Sequence, residues 1–267
     1  MKTVGIAGAG TIGKAVIQRL ARGDAGASVV AVSARDEART HANLGRLASE
    51  LEFLPLSRLP DRCDIVVEAM PASMFSAIAE PAIERGRIFM PLSVGALLAR
   101  MDLVERAKQT GARIVVPTGA LLGLDAVRAA AEGEIKHATI ITRKPPKSLA
   151  GAPYFELHPF ALDDLTEAVC VFAGSARDGA AGFPANVNVA AALSLAGIGP
   201  DRTRLEIWAD PAVDRNTHTV SVESDSTRFT MTIESTPFDE NPRTGKLTPL
   251  SVVAAIRGLT STLRIGS

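Results

Sequence analysis

Residues 2–13, KTVGIAGAGTIG, decide the fold of this chain. The first six residues are a strand-like apolar run, and the pattern G-x-G-x-x-G follows at Gly8, Gly10 and Gly13. From Thr11 onward apolar residues recur at helical spacing, so the glycines join a strand to a helix. In this setting the first glycine allows a tight turn, the second lets the backbone approach a pyrophosphate, and the third permits close packing of helix on strand. The stretch therefore predicts a dinucleotide-binding Rossmann domain, with Thr11 and Ile12 placing their N–H groups at the phosphates.

The ribose end of such a site is expected about twenty residues after the glycines, where a carboxylate commonly accepts from the 2′-hydroxyl of NAD. This chain has Ser33 there, followed by Arg35 and Asp36. A hydroxyl and a guanidinium suit a 2′-phosphate, although Asp36 is close enough to serve a ribose. We therefore expect NADP to be accepted at least as well as NAD. A purely solvated role for Arg35 stays open.

The first half of the chain alternates strand-like and helix-like stretches, which predicts βαβ units on a parallel sheet. Strands are predicted at 2–7, 28–32, 64–69, 87–92 and 113–117, and helices at 11–22, 36–51, 72–85 and 96–109. Ligands of such sheets lie beyond the carboxyl ends of the strands. The turns that begin at Met70, Ser93 and Thr118 are therefore expected to line the same crevice.

The second half has a different hydrophobic pattern, because one face of each predicted strand is apolar and the other is polar. This alternation at 204–209, 217–223 and 229–233 predicts an antiparallel meander with one covered face. Helical spacing returns at 248–263. A length of 267 residues also favours two domains over one.

Composition excludes several classes of function. Lys plus Arg and Asp plus Glu both total 29, and this zero net charge argues against nucleic-acid or anionic-membrane partners. Aromatic residues make up only 4%, so ring stacking is not the expected mode of binding. Cys63 and Cys170 suggest neither a disulfide framework nor a metal site. We expect a cytoplasmic protein with no leader or membrane span and no metal.

Four histidines are candidates for proton transfer, because imidazole titrates near neutral pH. His41 is expected in a polar helix, His137 at the start of a strand and His158 in a loop, and for these three a structural or surface role is favoured. His218 shares the apolar face of its strand with two valines. An inward histidine is either a hydrogen-bonded core residue or a cleft residue with a chemical role.

Several motifs together resemble the L-aspartate dehydrogenase family over essentially the whole chain. They are SVGAL at 93–97, PTGALLGLDA at 117–126, TRKPP at 142–146, FPANVNVAAA at 183–192, IWADP at 207–211, NTH at 216–218 and NPRTGKLTPLSVVAAIR at 241–257. The resemblance implies NAD(P)-dependent oxidative deamination of L-aspartate to iminoaspartate, then oxaloacetate and ammonia, or the reverse, in a role that feeds NAD biosynthesis.

The resemblance also implies an architecture and site residues. The fold class is α/β: a Rossmann domain at 1–118, completed by a C-terminal helix at 246–267, and an α/β catalytic domain at 119–245 on a mixed, largely antiparallel sheet. The active-site histidine maps onto His218, and further dinucleotide contacts map onto Ala120 and Asn188. Family members are homodimers. The chain departs from the usual pattern at Ser33 to Arg35, which puts a strict NAD preference in doubt.

A dicarboxylate substrate needs cations, and its deamination needs proton transfer. Arg143, Lys144 and Lys147 cluster in one loop, and Arg215 lies near His218 in sequence. Lys144 is the first choice and Arg215 the second, with a solvated basic loop as the alternative. We hypothesise that His218, with an ordinary pKa of about 6.5, is the base or positions the attacking water.

Two other functions stay open at this point. One is another two-domain oxidoreductase, similar to homoserine dehydrogenase or dihydrodipicolinate reductase. The other is a dinucleotide-binding sensor without turnover, in which His218 would be structural. The stretch at 183–197 argues against the first, and turnover of an amino acid would exclude the second.

Overall fold

A computed structural model describes residues 1–23, 25–184, 187–241 and 244–266. The chain forms two compact units. The first comprises residues 1–119 and 248–265, and the second residues 120–247 and 266–267. The helix at the C-terminal end therefore belongs to the N-terminal unit. Within the described ranges, no helix is both long and apolar enough to cross a bilayer.

The first unit is built on a six-stranded parallel sheet in the order β3-β2-β1-β4-β5-β6. Its strands are β1 (Lys2–Ala7), β2 (Ala27–Ser33), β3 (Glu52–Phe53), β4 (Ile65–Glu68), β5 (Ile88–Pro91) and β6 (Arg113–Ile114). Its first helices are α1 (Thr11–Leu20), α2 (Glu37–Leu44), α3 (Phe75–Glu84), α4 (Val94–Leu98) and α5 (Asp102–Thr110). Strand order reverses between β1 and β4, which is where an open α/β sheet offers its ligand crevice.

The second unit carries a five-stranded mixed sheet in the order β11-β10-β7-β9-β8. Its strands are β7 (Ile135–Lys144), β8 (Val169–Ser175), β9 (Arg204–Ala209), β10 (Thr217–Ser224) and β11 (Arg228–Glu234). Its helices are α6 (Leu124–Ala131), α7 (Tyr154–Leu157), α8 (Ala176–Gly182) and α9 (Asn188–Ala196). Only the β7–β9 pair is parallel, so the predicted mixed, largely antiparallel sheet is confirmed.

The last helix, α10 (Leu247–Thr260), packs into the core of the first unit. Val252, Val253 and Ile256 are buried there among the apolar residues of β1, β2, β4 and α1. Thr260 fixes the far end of the helix, because its hydroxyl donates to the carbonyl of Ala25 at 2.7 Å. Apolar burial and this hydrogen bond explain why helical spacing resumes near the end of the sequence.

Two predicted helices are shorter than their patterns suggested. The helix predicted at 36–51 ends at Leu44, because Gly45 has a φ of 57° and a 3-10 helix follows. The helix predicted at 96–109 is two helices, and the second begins at Asp102, whose carboxylate suits a helix N-terminus and pairs with Arg100. Apolar spacing does not register such breaks.

The predicted meander is wrong. β10 and β11 form the expected hairpin, but β9 is not next to β10, because β7 lies between them. Seven residues, 210–216, join β9 to β10, and this length is enough to pass the end of β7, which lies between them. This arrangement places residues of β7 directly opposite those of β10, with consequences for the site.

Candidate active site

The glycine-rich turn has the geometry that a bound pyrophosphate requires. Gly8 has a φ of 99°, and a Cβ there would collide with the carbonyl oxygen of Ala69. A Cβ at Gly13 would collide with the carbonyl oxygen of Gly8, so α1 packs against the turn with no room for a side chain. Gly10 faces open space, with nothing within 4 Å of its Cβ position. The three glycines therefore have the roles that the motif predicts. Gly8 allows the tight turn, Gly10 leaves the backbone open to a pyrophosphate, and Gly13 lets the helix pack closely on the turn.

The start of α1 is suited to an anion. Gly10 is the N-cap and supplies no side chain, and no acidic residue lies in the first turn. Thr11 and Ile12 begin the helix, so their N–H groups and the positive end of the helix dipole remain for a ligand. These residues fit the phosphates of a dinucleotide.

The ribose end differs from the sequence-based expectation in one respect. Ser33 closes β2, is buried, and accepts from the Gly8 N–H at 2.9 Å through its carbonyl. Asp36 caps α2, because its carboxylate accepts from the Arg39 N–H at 2.9 Å. Asp36 thus has a structural task, while the guanidinium of Arg35 is exposed at this corner of the crevice. An exposed guanidinium is a group that can bind a phosphate.

Glu68 is a residue that the sequence analysis missed. Its side chain is fully buried at the carboxyl end of β4. One carboxylate oxygen accepts from the Met70 N–H at 2.8 Å and the Ser93 hydroxyl at 3.1 Å, and the other from the N–H groups of Leu92 and Ser93 at 3.2 and 2.9 Å. Burial raises the pKa of Glu68, and these hydrogen bonds oppose the rise.

Glu68 therefore joins the turns after β4 and β5, two of the three turns expected to line the crevice. Ser93, predicted as a cofactor contact, uses its hydroxyl inside this network, where it also lies 3.1 Å from the Met70 carbonyl oxygen. A signal for Glu68 was present in the sequence: a lone carboxylate at the end of the apolar run IVV. A buried acid at that position must find donors.

In the second unit, His218 lies directly opposite Thr142 across the antiparallel pair of β10 and β7. Both residues are on the buried face of the sheet, with 3% and 1% exposure. The Thr142 hydroxyl lies 2.9 Å from Nδ1 of His218. The other three histidines are exposed: His41 stacks on Phe53, and His158 stacks on Tyr154.

Lys144 lies on the same face of β7 as Thr142, two residues further along the strand. Only 5% of it is exposed, and this burial lowers its pKa to about 8. Burial, followed by the charge of Lys144, lowers the pKa of His218 to about 3. The ring is therefore neutral at pH 7, whereas the sequence led us to expect a group that titrates near 7.

The other predicted cations are directed elsewhere. Arg143 lies on the opposite face of β7, where it pairs with Asp210 at 3.1 Å and stacks over Trp208 at 4.8 Å. Lys147 is exposed, and Arg215 forms an ion pair with Asp214 at 2.7 Å. The basic cluster seen in the sequence is thus split by the alternation of the strand. Of these cations, Lys144 alone shares the buried face with His218.

The remaining predicted cofactor contacts stand at the start of elements of the second unit. Ala120 is half-buried at the first position of that unit, and Asn188 is half-buried at the first position of α9. Two of the quoted motifs contain Ala185, Asn186, Pro242 and Arg243, which lie outside the described residues. Among the residues that the structure does describe, no group of three or more His, Cys, Asp or Glu residues is arranged to hold a metal ion.

Two family models match successive parts of the chain. A family model described as the NAD binding domain of homoserine dehydrogenase matches residues 8–117. A second model, described as the C-terminal part of aspartate dehydrogenase, matches residues 125–259. A homoserine dehydrogenase from Thiobacillus denitrificans, at 16% identity and a TM-score of 0.64, shares the fold alone.

Curated relatives match nearly the whole chain. L-aspartate dehydrogenase 3 of Bordetella bronchiseptica is 50% identical, with 99% of this chain and 97% of the relative covered. L-aspartate dehydrogenase of Bradyrhizobium diazoefficiens is 49% identical, with 99% and 94% covered. The crystal structure of aspartate dehydrogenase from Thermotoga maritima matches at 26% identity, with full coverage of both chains and a TM-score of 0.78. The chain therefore belongs to the L-aspartate dehydrogenase family.

Proposed function

We propose that this protein is an NAD(P)-dependent L-aspartate dehydrogenase, which oxidises L-aspartate to iminoaspartate, then oxaloacetate and ammonia, and catalyses the reverse amination. The observation that carries the proposal is the buried face shared by His218 and Lys144, in a chain whose other unit has a dinucleotide-binding turn. Membership of the family supports the choice of substrate.

Each unit supplies one half of this chemistry. The turn at Gly8, Gly10 and Gly13, the start of α1 and the corner at Arg35 hold the dinucleotide, which when bound accepts a hydride from Cα of the substrate. Ser33, Ser93, Ala120 and Asn188 are proposed to complete its binding. The polar side chains of the second unit bind and orient the amino acid.

Lys144 is proposed to bind a substrate carboxylate as a point charge. Its ammonium donates three hydrogen bonds, and its buried position strengthens the attraction to an anion. With a pKa of about 8 it is mostly charged at pH 7. Arg215 takes second place as a substrate ligand, because Asp214 already engages its guanidinium through two hydrogen bonds.

His218 is proposed to be the catalytic residue. Deamination removes a proton from the substrate ammonium and later one from the water that attacks the imine, so a polar group must face these atoms. Nε2 is the ring nitrogen that remains, since Nδ1 is engaged with Thr142.

The exposed Arg35 and the capping task of Asp36 support use of NADP at least as readily as NAD. We further propose a homodimer in a reducing cytoplasm. The homodimer rests on the resemblance to the family alone. Both cysteines are free thiols, as that compartment would require. Sedimentation equilibrium tests the dimer.

The decisive experiment is reduction of NAD or NADP, followed at 340 nm, with L-aspartate, D-aspartate, L-glutamate and L-homoserine. We expect turnover with L-aspartate alone. Turnover of L-homoserine instead would support the homoserine-dehydrogenase alternative. Binding of the dinucleotide without turnover of any of the four would support a sensor and contradict the proposal.

A further inference from the structure

We infer that Thr142 is a positioning residue that fixes the tautomer of His218, so that the ring carries its proton on Nε2 and takes part in the reaction as a hydrogen-bond donor rather than as the base. The role assigned to His218 rests on the proposed function. The tautomer itself rests on the geometry of two strands.

The two side chains are held face to face by the backbone. Thr142 and His218 are directly paired in the register of β7 and β10, and both are almost completely buried. The hydroxyl and Nδ1 lie 2.9 Å apart, which is a good hydrogen-bond length. Threonine is β-branched and therefore restricted at χ1, so its hydroxyl has little freedom to turn elsewhere.

The direction of this hydrogen bond follows from counting protons and acceptors. In the described part of the chain, the only hydrogen-bond partner of the Thr142 hydroxyl is Nδ1 of His218. If the hydroxyl accepted a proton from Nδ1, its own proton would be buried without an acceptor, which is costly. If it donates to Nδ1, the hydroxyl proton is satisfied, and the proton left over lies on Nε2, where a ligand can accept it. A neutral imidazole that accepts at Nδ1 carries its proton on Nε2.

The surroundings of the ring keep it neutral, as the assignment of a single ring proton requires. On the two flanking strands its direct neighbours are Thr142 and Ile233, neither of which carries a charge. The nearby charged group is Lys144, a cation that disfavours an imidazolium. Among the described residues, no carboxylate contributes to the shift in the pKa of His218.

This tautomer decides between the two roles left open for His218. A ring with its proton on Nε2 has no lone pair there with which to take a proton from the substrate. Its N–H can donate to an oxygen atom, either of the substrate or of the water that hydrates the imine. Among the described residues Nε2 has no partner of its own, so this donor is kept for a ligand.

The tautomer can be observed directly by long-range proton–nitrogen correlation NMR of protein labelled with ¹⁵N-histidine. The spectrum of His218→Gln identifies the signals of His218 among the four histidines. We expect a neutral ring protonated at Nε2 in the wild type and in Thr142→Ser, and a detectable Nδ1-protonated population in Thr142→Val. A wild-type ring protonated at Nδ1 would overturn the inference, even if every variant failed to fold.

Kinetics supply the second readout. Thr142→Val should lower kcat about tenfold, the lower end of the roughly 10- to 100-fold range known for partners that fix the tautomer and orientation of metal-ligating histidines. Thr142→Ser should restore most of the rate. The matched control is Thr139→Val, the same change on the other face of β7, which should leave kcat unchanged. Equal losses in Thr142→Ser and Thr142→Val would contradict a role for the hydroxyl.

His218→Gln separates the donor role from the base role. An amide keeps an N–H donor but accepts no proton, so we expect His218→Gln to retain at least about tenfold more kcat than His218→Ala; equal loss would contradict the donor role. Failure of the proposed function is distinguishable from failure of this inference. Absence of any turnover leaves the NMR result intact, and turnover by a ring protonated at Nδ1 leaves the function intact.

Discussion

The two units each bury ionisable side chains at the end of a sheet, and they satisfy them very differently. Glu68 in the first unit receives four hydrogen bonds, three of them from backbone N–H groups. His218 in the second unit has one hydrogen bond from the described residues, through a single side chain. A carboxylate has about four acceptor sites, so the protein alone saturates Glu68. The imidazole of His218 uses Nδ1 in this bond, and its Nε2 has no partner among the described residues.

The comparison of Glu68 with His218 distinguishes two roles for a buried polar side chain. A saturated group holds neighbouring backbone in place and has little capacity for a ligand. An incompletely satisfied group is costly to bury, and a site that keeps one gains a contact for substrate. On this basis we assign Glu68 to the shape of the cofactor crevice and His218, with Lys144, to the chemistry. Substitution of Glu68 should therefore affect stability and cofactor binding, whereas substitution of His218 or Lys144 should affect turnover or substrate binding.

The largest effect is expected for His218→Ala. Loss of the group that contacts the reacting atoms should lower kcat at least about 100-fold, the usual minimum for a positioned proton donor or acceptor. Binding of NAD(P)H should be unchanged, since His218 is not among the residues proposed to hold the nucleotide. The measurements are steady-state kinetics with L-aspartate and fluorescence titration with NADPH. Retention of more than about a tenth of wild-type kcat would show that His218 is a core residue. His218 and Glu68 would then both have structural roles.

Lys144→Met should weaken binding of dicarboxylates roughly 10- to 100-fold, the range for a charge-assisted hydrogen bond. Succinate is the sharper probe, because it has no amine to titrate. Its inhibition constant for the wild type should rise as the pH rises through about 8, where the folded protein loses the Lys144 proton. In Lys144→Met the constant should be high at every pH. The matched control is the exposed Lys147→Met, which should behave as wild type.

The same variant tests the cost of the buried charge. The pKa of Lys144 is lowered from 10.5 to about 8 on folding, so between these values the unfolded chain binds more protons and stability rises with pH. Below pH 8 the penalty is present in full, on the order of 3 kcal/mol. Lys144→Met should therefore unfold at a higher urea concentration than wild type at pH 7, with a smaller difference at pH 10. An equal difference at both pH values would contradict a buried, perturbed lysine.

The contrast also shows what could be predicted from sequence. The Rossmann unit depends on local sequence: Gly8, Gly10 and Gly13 fix a turn, and β1 pairs with the next strand, β2, in a parallel sheet. The inward direction of His218 also followed from a period of two along one strand. These features depend on a few adjacent residues and were predictable.

Features that depend on which strands are neighbours were not predictable. The partner of His218 is Thr142, 76 residues away, and it became its neighbour only because β7 lies where the meander placed β9. The role of Glu68 depends on N–H donors from the turn after β5, which the sequence around Glu68 does not show. Alternation shows which face a residue occupies, and says nothing about which strand lies beside it.

Glu68→Gln should cost about 1–3 kcal/mol of stability, because an amide offers one acceptor where the carboxylate offers two. The Ser93 hydroxyl can turn toward the Met70 carbonyl, which leaves the Met70 N–H as the donor without a partner. We expect a lower urea midpoint and a KM for NAD(P) raised several-fold, with kcat less affected. Glu84→Gln, an exposed carboxylate paired with Arg106, is the control and should change neither. A large loss of kcat with KM unchanged would place Glu68 in the chemistry instead.

The smallest effect is expected at an exposed charge, Arg35. Its guanidinium sits in solvent at the end of β2, so its substitution should leave stability unchanged. A 2′-phosphate would accept hydrogen bonds from it, while the 2′-hydroxyl of NAD gains little from a cation. Arg35→Ala should therefore raise KM for NADP about tenfold and leave KM for NAD within about twofold. Arg46→Ala, another exposed arginine, paired with Glu50, controls for general charge loss. If the ratio of the two KM values stays as in the wild type, Arg35 does not read the phosphate, and cofactor choice must depend on Ser33 or Asp36 at the same corner.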